Sequence, residues 1–180
     1  MQRNSYRYVL THSICRIRGK NYIQRLEQIM KQVTIYTDGS SLGNPGPGGY
    51  GAILFYKGHK KEISGGEAHT TNNRMELRAV IESLSLLKEE CEVTVYSDSK
   101  YVIDSITKGW VYSWQKNGWR KSDKSPALNV DLWQQLLSLL ARHKVDFVWV
   151  KGHADNEYNE RCDRMAVAFA KSIKEGGGSV

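Results

Sequence analysis

Five residues of the chain have the types and settings for chemistry: Asp38, Glu76, Asp98, Asp163 and His153. Two of the acids close nearly identical hexapeptides, Val33-Thr34-Ile35-Tyr36-Thr37-Asp38 and Val93-Thr94-Val95-Tyr96-Ser97-Asp98. Side chains alternate along a strand, so each Asp shares a face with the Thr and Tyr before it. If the two strands lie side by side and parallel, both carboxylates emerge at one sheet edge. That carboxyl edge is where open α/β sheets place their ligands. Two bare carboxylates in contact repel, and one is driven neutral. A divalent cation removes the conflict, and oxygen donors favour Mg²⁺ or Mn²⁺ over zinc. Each acid also has a plainer reading. Asp38-Gly39 is a turn signal, and Asp98 is a good N-cap for a following helix. Asn73-x-x-Glu76 fits a capping box, with Glu76 in the first helical turn. Asp163 borders the apolar stripe of Cys162, Ala166, Phe169, Ala170 and Ile173, where a rim position is common for a lone Asp. His153 opens a polar loop, where it is either simply solvated or a mobile proton carrier.

The elements that must position these groups can be read from periodicity. Val33–Asp38, Tyr50–Tyr56, Lys61–Gly66, Glu92–Ser97 and Lys144–Val150 read as strands, the second and third joined around Gly58. The run Gly43-Asn44-Pro45-Gly46-Pro47-Gly48-Gly49 reads as a tight loop. Helices are expected over Asn73–Lys88, Ser99–Thr107, Trp110–Trp119, Leu128–Arg142 and Glu157–Lys174. Three strands come first, and helices then alternate with strands. That order predicts an α/β fold: a mixed five-stranded sheet flanked by helices in a single domain.

The 180 residues are 40% apolar and 25% charged, ordinary for a globular domain and unlike a disordered, collagen-like or mucin-like chain. No window approaches the ~18 apolar residues a membrane-spanning helix needs, so no membrane is expected as a partner. Three widely spaced cysteines (Cys15, Cys91, Cys162) form no CxxC pair, which suits reduced thiols and a cytoplasmic location. The net charge is 26 − 19 = +7, of which residues 1–29 contribute +5 (six basic groups, one acidic). These residues form a basic extension, read as a transit-type leader, a disordered arm or a stretch upstream of a true start at Met30. The main domain spans 30–175, and the glycine-rich 176–180 reads as a flexible tail. Residues 100–124 hold Lys100, Lys108, Lys116, Arg120, Lys121 and Lys124 against Asp104 and Asp123, interleaved with Trp110, Trp114 and Trp119. Basic groups of this kind hold phosphates. Trp110 and Trp114 are one helical turn apart and are expected to pack partly inward. Trp133, Leu136 and Trp149 are expected to be packing residues. Cys91 and Cys162 are expected to be buried, and no role falls to His12, His59 or His143.

Motifs in register along the chain resemble type 1 ribonuclease H of the bacterial kind. They are Tyr-Thr-Asp-Gly-Ser at 36–40, Gly-Asn-Pro-Gly-Pro-Gly-Gly-Tyr-Gly-Ala at 43–52 and Thr-Thr-Asn-Asn-Arg-Met-Glu-Leu at 70–77. Ser-Asp-Ser at 97–99, Asn-Val-Asp-Leu-Trp at 129–133, Val-Lys-Gly-His-Ala at 150–154 and Asn-Glu-Arg-Cys-Asp at 159–163 complete them. The resemblance runs from about Met30 to Ser172. It implies a ribonuclease H-like fold and an endonuclease that cuts the RNA strand of RNA–DNA hybrids, leaving 5′-phosphate and 3′-hydroxyl ends. It implies that Asp38, Glu76, Asp98 and Asp163 bind metal, two Mg²⁺ ions with Mn²⁺ able to substitute. It implies that His153 assists proton transfer or product departure. Asn44, Asn72 and Asn73 match residues that track the hybrid's minor groove. Thr71 and Asn129 match part of a pocket for a DNA-strand phosphate. Trp110, Trp114 and Trp119, with Lys116, Arg120 and Lys121, match a basic protrusion that binds nucleic acid. Departures fall at His69, where some members have Arg, at Lys100, where others have Gln beside the acids, and at Ser41, where several have Cys. Lys100 therefore joins the nucleic-acid-binding candidates.

Two other readings compete. One is a module of the same fold that binds hybrids without cutting, against which stands the full set of acids. The other is a DNA-strand integrase or junction nuclease, against which stand the 70–77 motif and the Trp-rich basic insertion. No heptad or sticky repeat is visible, so a monomer is expected.

Overall fold

The computed structural model describes residues 30–152 and 156–176. The expectations for residues 1–29, for His153 and for the tail beyond Gly176 lie outside the described residues. The chain runs β1 (Lys31–Ser41), β2 (Gly46–Tyr56), β3 (His59–Thr70), α1 (Asn72–Ser85) and β4 (Cys91–Ser97). It continues through α2 (Lys100–Thr107), α3 (Trp110–Lys116), α4 (Val130–Leu140), β5 (Lys144–Trp149) and α5 (Glu157–Lys174). The five strands form one sheet in the order β3-β2-β1-β4-β5.

The first three strands are an antiparallel meander. Lys57 and Gly58 make a two-residue turn, both at positive φ, with Tyr56 paired to His59. Two such residues suit the right-handed twist of the flanking strands. β4 and β5 pair parallel, with Val93 against Val145 and Ser97 against Trp149. The echoed hexapeptides lie side by side. Gln32 hydrogen-bonds Glu92, and the Tyr36 and Tyr96 rings stack 4.9 Å apart. Contacts at one constant offset of 60 residues mean that β1 and β4 run parallel.

Alternation along the strands separates two faces. Val33, Ile35, Leu54, Val93 and Val95 face one side and pack with Leu77, Val80, Ile81 and Leu84 of α1 and Leu132, Trp133 and Leu136 of α4. Trp133 is fully buried, as expected, and its indole N–H donates to the Tyr101 hydroxyl at 3.0 Å. The other face carries Tyr36, Phe55 and Tyr96, against which Tyr158 of α5 packs. Further along α5 a cysteine and two alanines, Cys162, Ala166 and Ala170, are fully buried. There the β2 glycines leave room for the helix: a Cβ at Gly49 would strike the Ala166 carbonyl, and one at Gly51 the Cys162 carbonyl.

Several local expectations change. The glycine-rich run is mostly strand, because β2 already begins at Gly46, and only residues 42–45 turn. α1 starts one residue early, and its N-cap is Thr71, whose hydroxyl accepts from the Arg74 amide at 3.4 Å. Glu76 therefore lies in the second turn, and the Asn73 capping box does not form. The N-cap of α2 is Ser99 rather than Asp98. Asp38-Gly39 makes no turn, since β1 continues to Ser41 with Asp38 paired to Gly51. Gly39 is needed for a close approach instead: a Cβ there would run into the Met75–Glu76 backbone of α1. His143 is buried, and its Nδ1 accepts from the Cys91 amide at 3.3 Å.

Gly39→Ala forces strand and helix apart. It is expected to destabilise the fold by on the order of 3 kcal/mol. Gly58→Ala, in a turn with open space around it, should cost only about 1 kcal/mol. Paired thermal or urea melts check the contrast; equal losses would contradict it.

Candidate active site

Each carboxylate is delivered by a different device. Asp38 is carried by the extension of β1 past its paired core residues. Asp98 follows the last residue of β4, immediately before the Ser99 cap. Glu76 comes down from α1, brought close because Gly39 has no side chain. Each of the three offers a carboxylate oxygen within 4.8 Å of the other two. Asp38 and Glu76 are buried, and Asp98 is partly exposed. The plain structural roles open to them in sequence are filled by other residues: Thr71 and Ser99 cap the helices, and residues 42–45 make the turn.

The electrostatic cost of this arrangement is visible. Burial, with the Asp98 charge next in weight, pushes the Asp38 carboxyl up to about 8; the Gly39 amide, donating to its Oδ1 at 2.7 Å, opposes the rise. Burial, then the charges of Asp38 and Asp98, hold Glu76 well above the usual carboxylate range, against polar contacts from Ser99 and Asn72. One Glu76 oxygen accepts from the Asn72 side-chain amide at 3.0 Å, while Oε2 is buried with no hydrogen-bond partner. A buried oxygen without a close donor among crowded carboxylates is a setting that a cation would suit. Hard oxygen donors of this kind fit Mg²⁺ or Mn²⁺.

Asp163, partly buried in α5, lies outside this tight trio but near enough for its charge to raise Asp38 further. Asn44 joins the site through its side-chain oxygen, which accepts from the Asn72 amide at 3.3 Å. A polar chain thus runs from the 42–45 turn through Asn72 to Glu76. Asn73 is exposed beside it. Thr71 caps α1, and Asn129, at positive φ, begins α4 and donates to Tyr101 at 3.1 Å. A forked ion pair from Arg74 to Asp131 (3.0 and 2.8 Å) ties these two helix starts together. In the basic insertion Lys116, Arg120 and Lys121 are exposed. Trp114 and Trp119 pack against the core, but Trp110 stays 44% exposed, with the Lys108 ammonium 5.1 Å from its ring centre.

Sequence reasoning missed two neighbours of the acids. Trp149 is not a packing residue: it ends β5 and is 45% exposed. Its indole N–H donates to the Asp98 carbonyl at 3.1 Å. Gly152 brings its backbone so close that a Cβ would touch the Asp98 carboxylate. Only the strand register, which sets Trp149 opposite Ser97, could have pointed to the first.

Residues 30–171 match the family model described as RNase H. The chain belongs to the ribonuclease H family. Among curated relatives, Ribonuclease H of Thermoanaerobacter sp. (strain X514) is 62% identical over 139 residues, covering 77% of this chain and 90% of that protein. Ribonuclease H of Desulforamulus reducens is 58% identical over 142 residues (79% and 89%). Ribonuclease H of Escherichia coli O127:H6 is 57% identical over 142 (79% and 91%). Among solved structures, LC9-RNase H1, a type 1 RNase H with the type 2 active-site motif, superposes with a TM-score of 0.70 at 31% identity, over 84% of this chain and 82% of that one. LC11-RNase H1 in complex with RNA/DNA hybrid gives 0.61 at 25% identity, over 79% and 99%. The mixed five-stranded sheet flanked by helices is thus the ribonuclease H-like fold expected from sequence.

The raised carboxyl values fix a pH dependence. The folded Asp38 holds its proton up to about 8, against an ordinary value of 3.8. The contribution of Asp38 to metal-free stability is therefore full below about pH 4 and erodes as pH rises towards 8. The melting temperature in chelator is expected to fall between pH 5 and 8.5. Asp38→Asn should flatten that fall and gain about 4–8 °C at pH 8, on the order of 2 kcal/mol. A flat wild-type profile would contradict the crowding of the acids.

Proposed function

We infer that the chain is an endonuclease that hydrolyses the RNA strand of RNA–DNA hybrids at the Asp38–Glu76–Asp98 cluster. The observation that carries the assignment of the site is the trio of carboxylates within 4.8 Å, two of them buried. Asp38, Glu76, Asp98 and the adjacent Asp163 would hold two Mg²⁺ ions, with Mn²⁺ able to substitute. Bound there, the metal supplies charge neutralisation, an activated water and stabilisation of the departing 3′ oxygen.

The protein's own residues do the rest. Asn72 orients Glu76 through its amide, and Asn44 fixes Asn72 in turn. Together with Asn73 they present polar groups to a shallow minor groove, where the 2′-hydroxyl distinguishes RNA from DNA. Thr71 and Asn129, at helix starts clamped by Arg74 and Asp131, offer N–H groups to a DNA-strand phosphate. The exposed Lys116, Arg120 and Lys121, with Trp110, hold phosphates at a distance from the acids. These contacts read backbone rather than bases, so cleavage should be largely independent of sequence. His153 carries a proton to or from the reacting phosphate, leaving 5′-phosphate and 3′-hydroxyl ends. No helix of the described residues is long and apolar enough to cross a membrane. The sparse, widely spaced cysteines, with no CxxC pair, suit the reducing cytoplasm, where we place the chain as a monomer. Residues 30–175 would act as the catalytic domain and 1–29 as a basic extension.

A strand-labelled hybrid in Mg²⁺, beside duplex RNA and duplex DNA, tests this reading. Cleavage is expected in the RNA of the hybrid alone. Asp38→Asn, Glu76→Gln and Asp98→Asn should each lower kcat by roughly 10²–10³-fold or more with the fold retained. Equal cutting of duplex DNA, or variants as active as the parent, would overturn it.

A further inference from the structure

The carboxyl edge of the sheet has two ends, and the contacts assigned to the minor groove, Asn44, Asn72 and Asn73, use only one. Along that edge the order is the 42–45 turn, Asp38 on β1, Asp98 after β4 and Trp149 at the end of β5. Asn44 and Asn72 lie on the first side of the acids. On the other side is an exposed aromatic ring with a cation over it: the Lys100 ammonium sits 5.4 Å from the centre of the Trp149 ring. The ring is tethered rather than loose. Its N–H donates to the Asp98 carbonyl, and the next residue, Val150, donates its amide to the Ser97 carbonyl at 3.0 Å.

Neither residue is explained by folding. Lys100 is the first residue of α2, where the helix dipole disfavours a positive charge. Among the described residues no carboxylate lies within ion-pair distance of it, although other surface lysines, such as Lys108 with Asp104 and Lys144 with Glu92, have such partners. Lys151, two residues beyond Trp149, is exposed as well. A large ring left 45% exposed is an incomplete contribution to a core but a suitable apolar surface for a ribose at the edge of a paired strand. A cation beside it suits a backbone phosphate.

We propose that Trp149 and Lys100 form a ledge that grips the RNA strand next to the scissile phosphate, Trp149 packing against a ribose and Lys100 pairing with its phosphate. A strand lying across the acid cluster from the Asn44 side leads on to this ledge. The ledge rests on the reading of the cluster as the site of RNA cleavage and adds the direction in which the strand leaves it. It also supplies positive charge beside a centre whose own carboxylates repel the substrate.

The test uses the full chain and a fluorescent RNA–DNA hybrid, with binding measured by anisotropy in chelator across a salt series and cleavage measured in Mg²⁺. Trp149→Ala is expected to raise Kd roughly fivefold or more. Trp149→Phe, which keeps a ring face but loses the N–H to Asp98, should stay within about threefold of the parent. Lys100→Ala should weaken binding and lower the slope of log Kd against log salt by about one. In Mg²⁺ the losses should appear in KM more than in kcat. Kd values for Trp149→Ala and Lys100→Ala within twofold of the parent would overturn the ledge while leaving the nuclease reading intact. Equally fatal would be Trp149→Ala and Trp149→Phe lowering kcat alike at unchanged KM and Kd, since Trp149 would then only brace Asp98. A parent chain that neither binds nor cuts the hybrid would sink the nuclease reading and the ledge together.

Discussion

Three carboxylates are forced together in a place mostly closed to water, and much of the architecture can be understood as the means of holding them there. Isolated in solution, like-charged groups separate. Here the separation is prevented by the sheet register, which sets Asp38 within β1 beside Asp98 at the end of parallel β4, and by Gly39, which lets α1 lower Glu76 onto them. The backbone does the positioning, so the carboxylates need no salt bridges of their own. Without a cation the conflict is relieved by protons, hence the raised Asp38 and Glu76. With a cation the same crowding becomes a preformed donor set. On the proposed reading, the repulsion built into the fold is what a bound cation would relieve.

That arrangement imposes a second constraint. A negatively charged centre must act on a polyanion, so attraction has to come from groups around it. The molecule separates the two. The acids lie at the carboxyl edge of the sheet, while exposed Lys and Arg occur in the 108–124 segment and at Lys100 and Lys151. Ion pairs elsewhere, such as Arg161 with Glu62 and Lys144 with Glu92, leave their own surroundings locally neutral. The net charge of the segment from residue 30 onward is only 20 − 18 = +2, so this separation by location, not bulk charge, must guide the substrate.

Much of this was legible in the residues. The echoed hexapeptides foretold two parallel strands bringing carboxylates side by side, because a period of two fixes which side chains share a face, although β1 runs on to Ser41 rather than closing at Asp38. Buried positions such as Trp133 and Leu136 followed from helical spacing. The failures have a common physical cause. Asp38-Gly39, Asn73-x-x-Glu76 and Asp98 each satisfy a local rule for a turn or a cap, yet Thr71 and Ser99 do the capping. Local rules cannot see that a glycine is needed for a helix to dock, or that an acid is needed elsewhere. Trp149 was misread for the same reason. Its alternating neighbours suggest a strand interior, but the strand ends there, beside Asp98, and only the paired register reveals it. His153 was singled out from the sequence and lies outside the described residues.

The central claim is that these carboxylates are one preformed cation site. Calorimetric titration of the metal-free chain with Mn²⁺ at neutral pH, alongside Asp38→Asn, Glu76→Gln and Asp98→Asn, tests it most directly. Saturable binding by the parent, weakened at least tenfold in each of the three folded variants, is the expected result. Binding that survives all three substitutions, or a parent chain that takes up no ion, would contradict it.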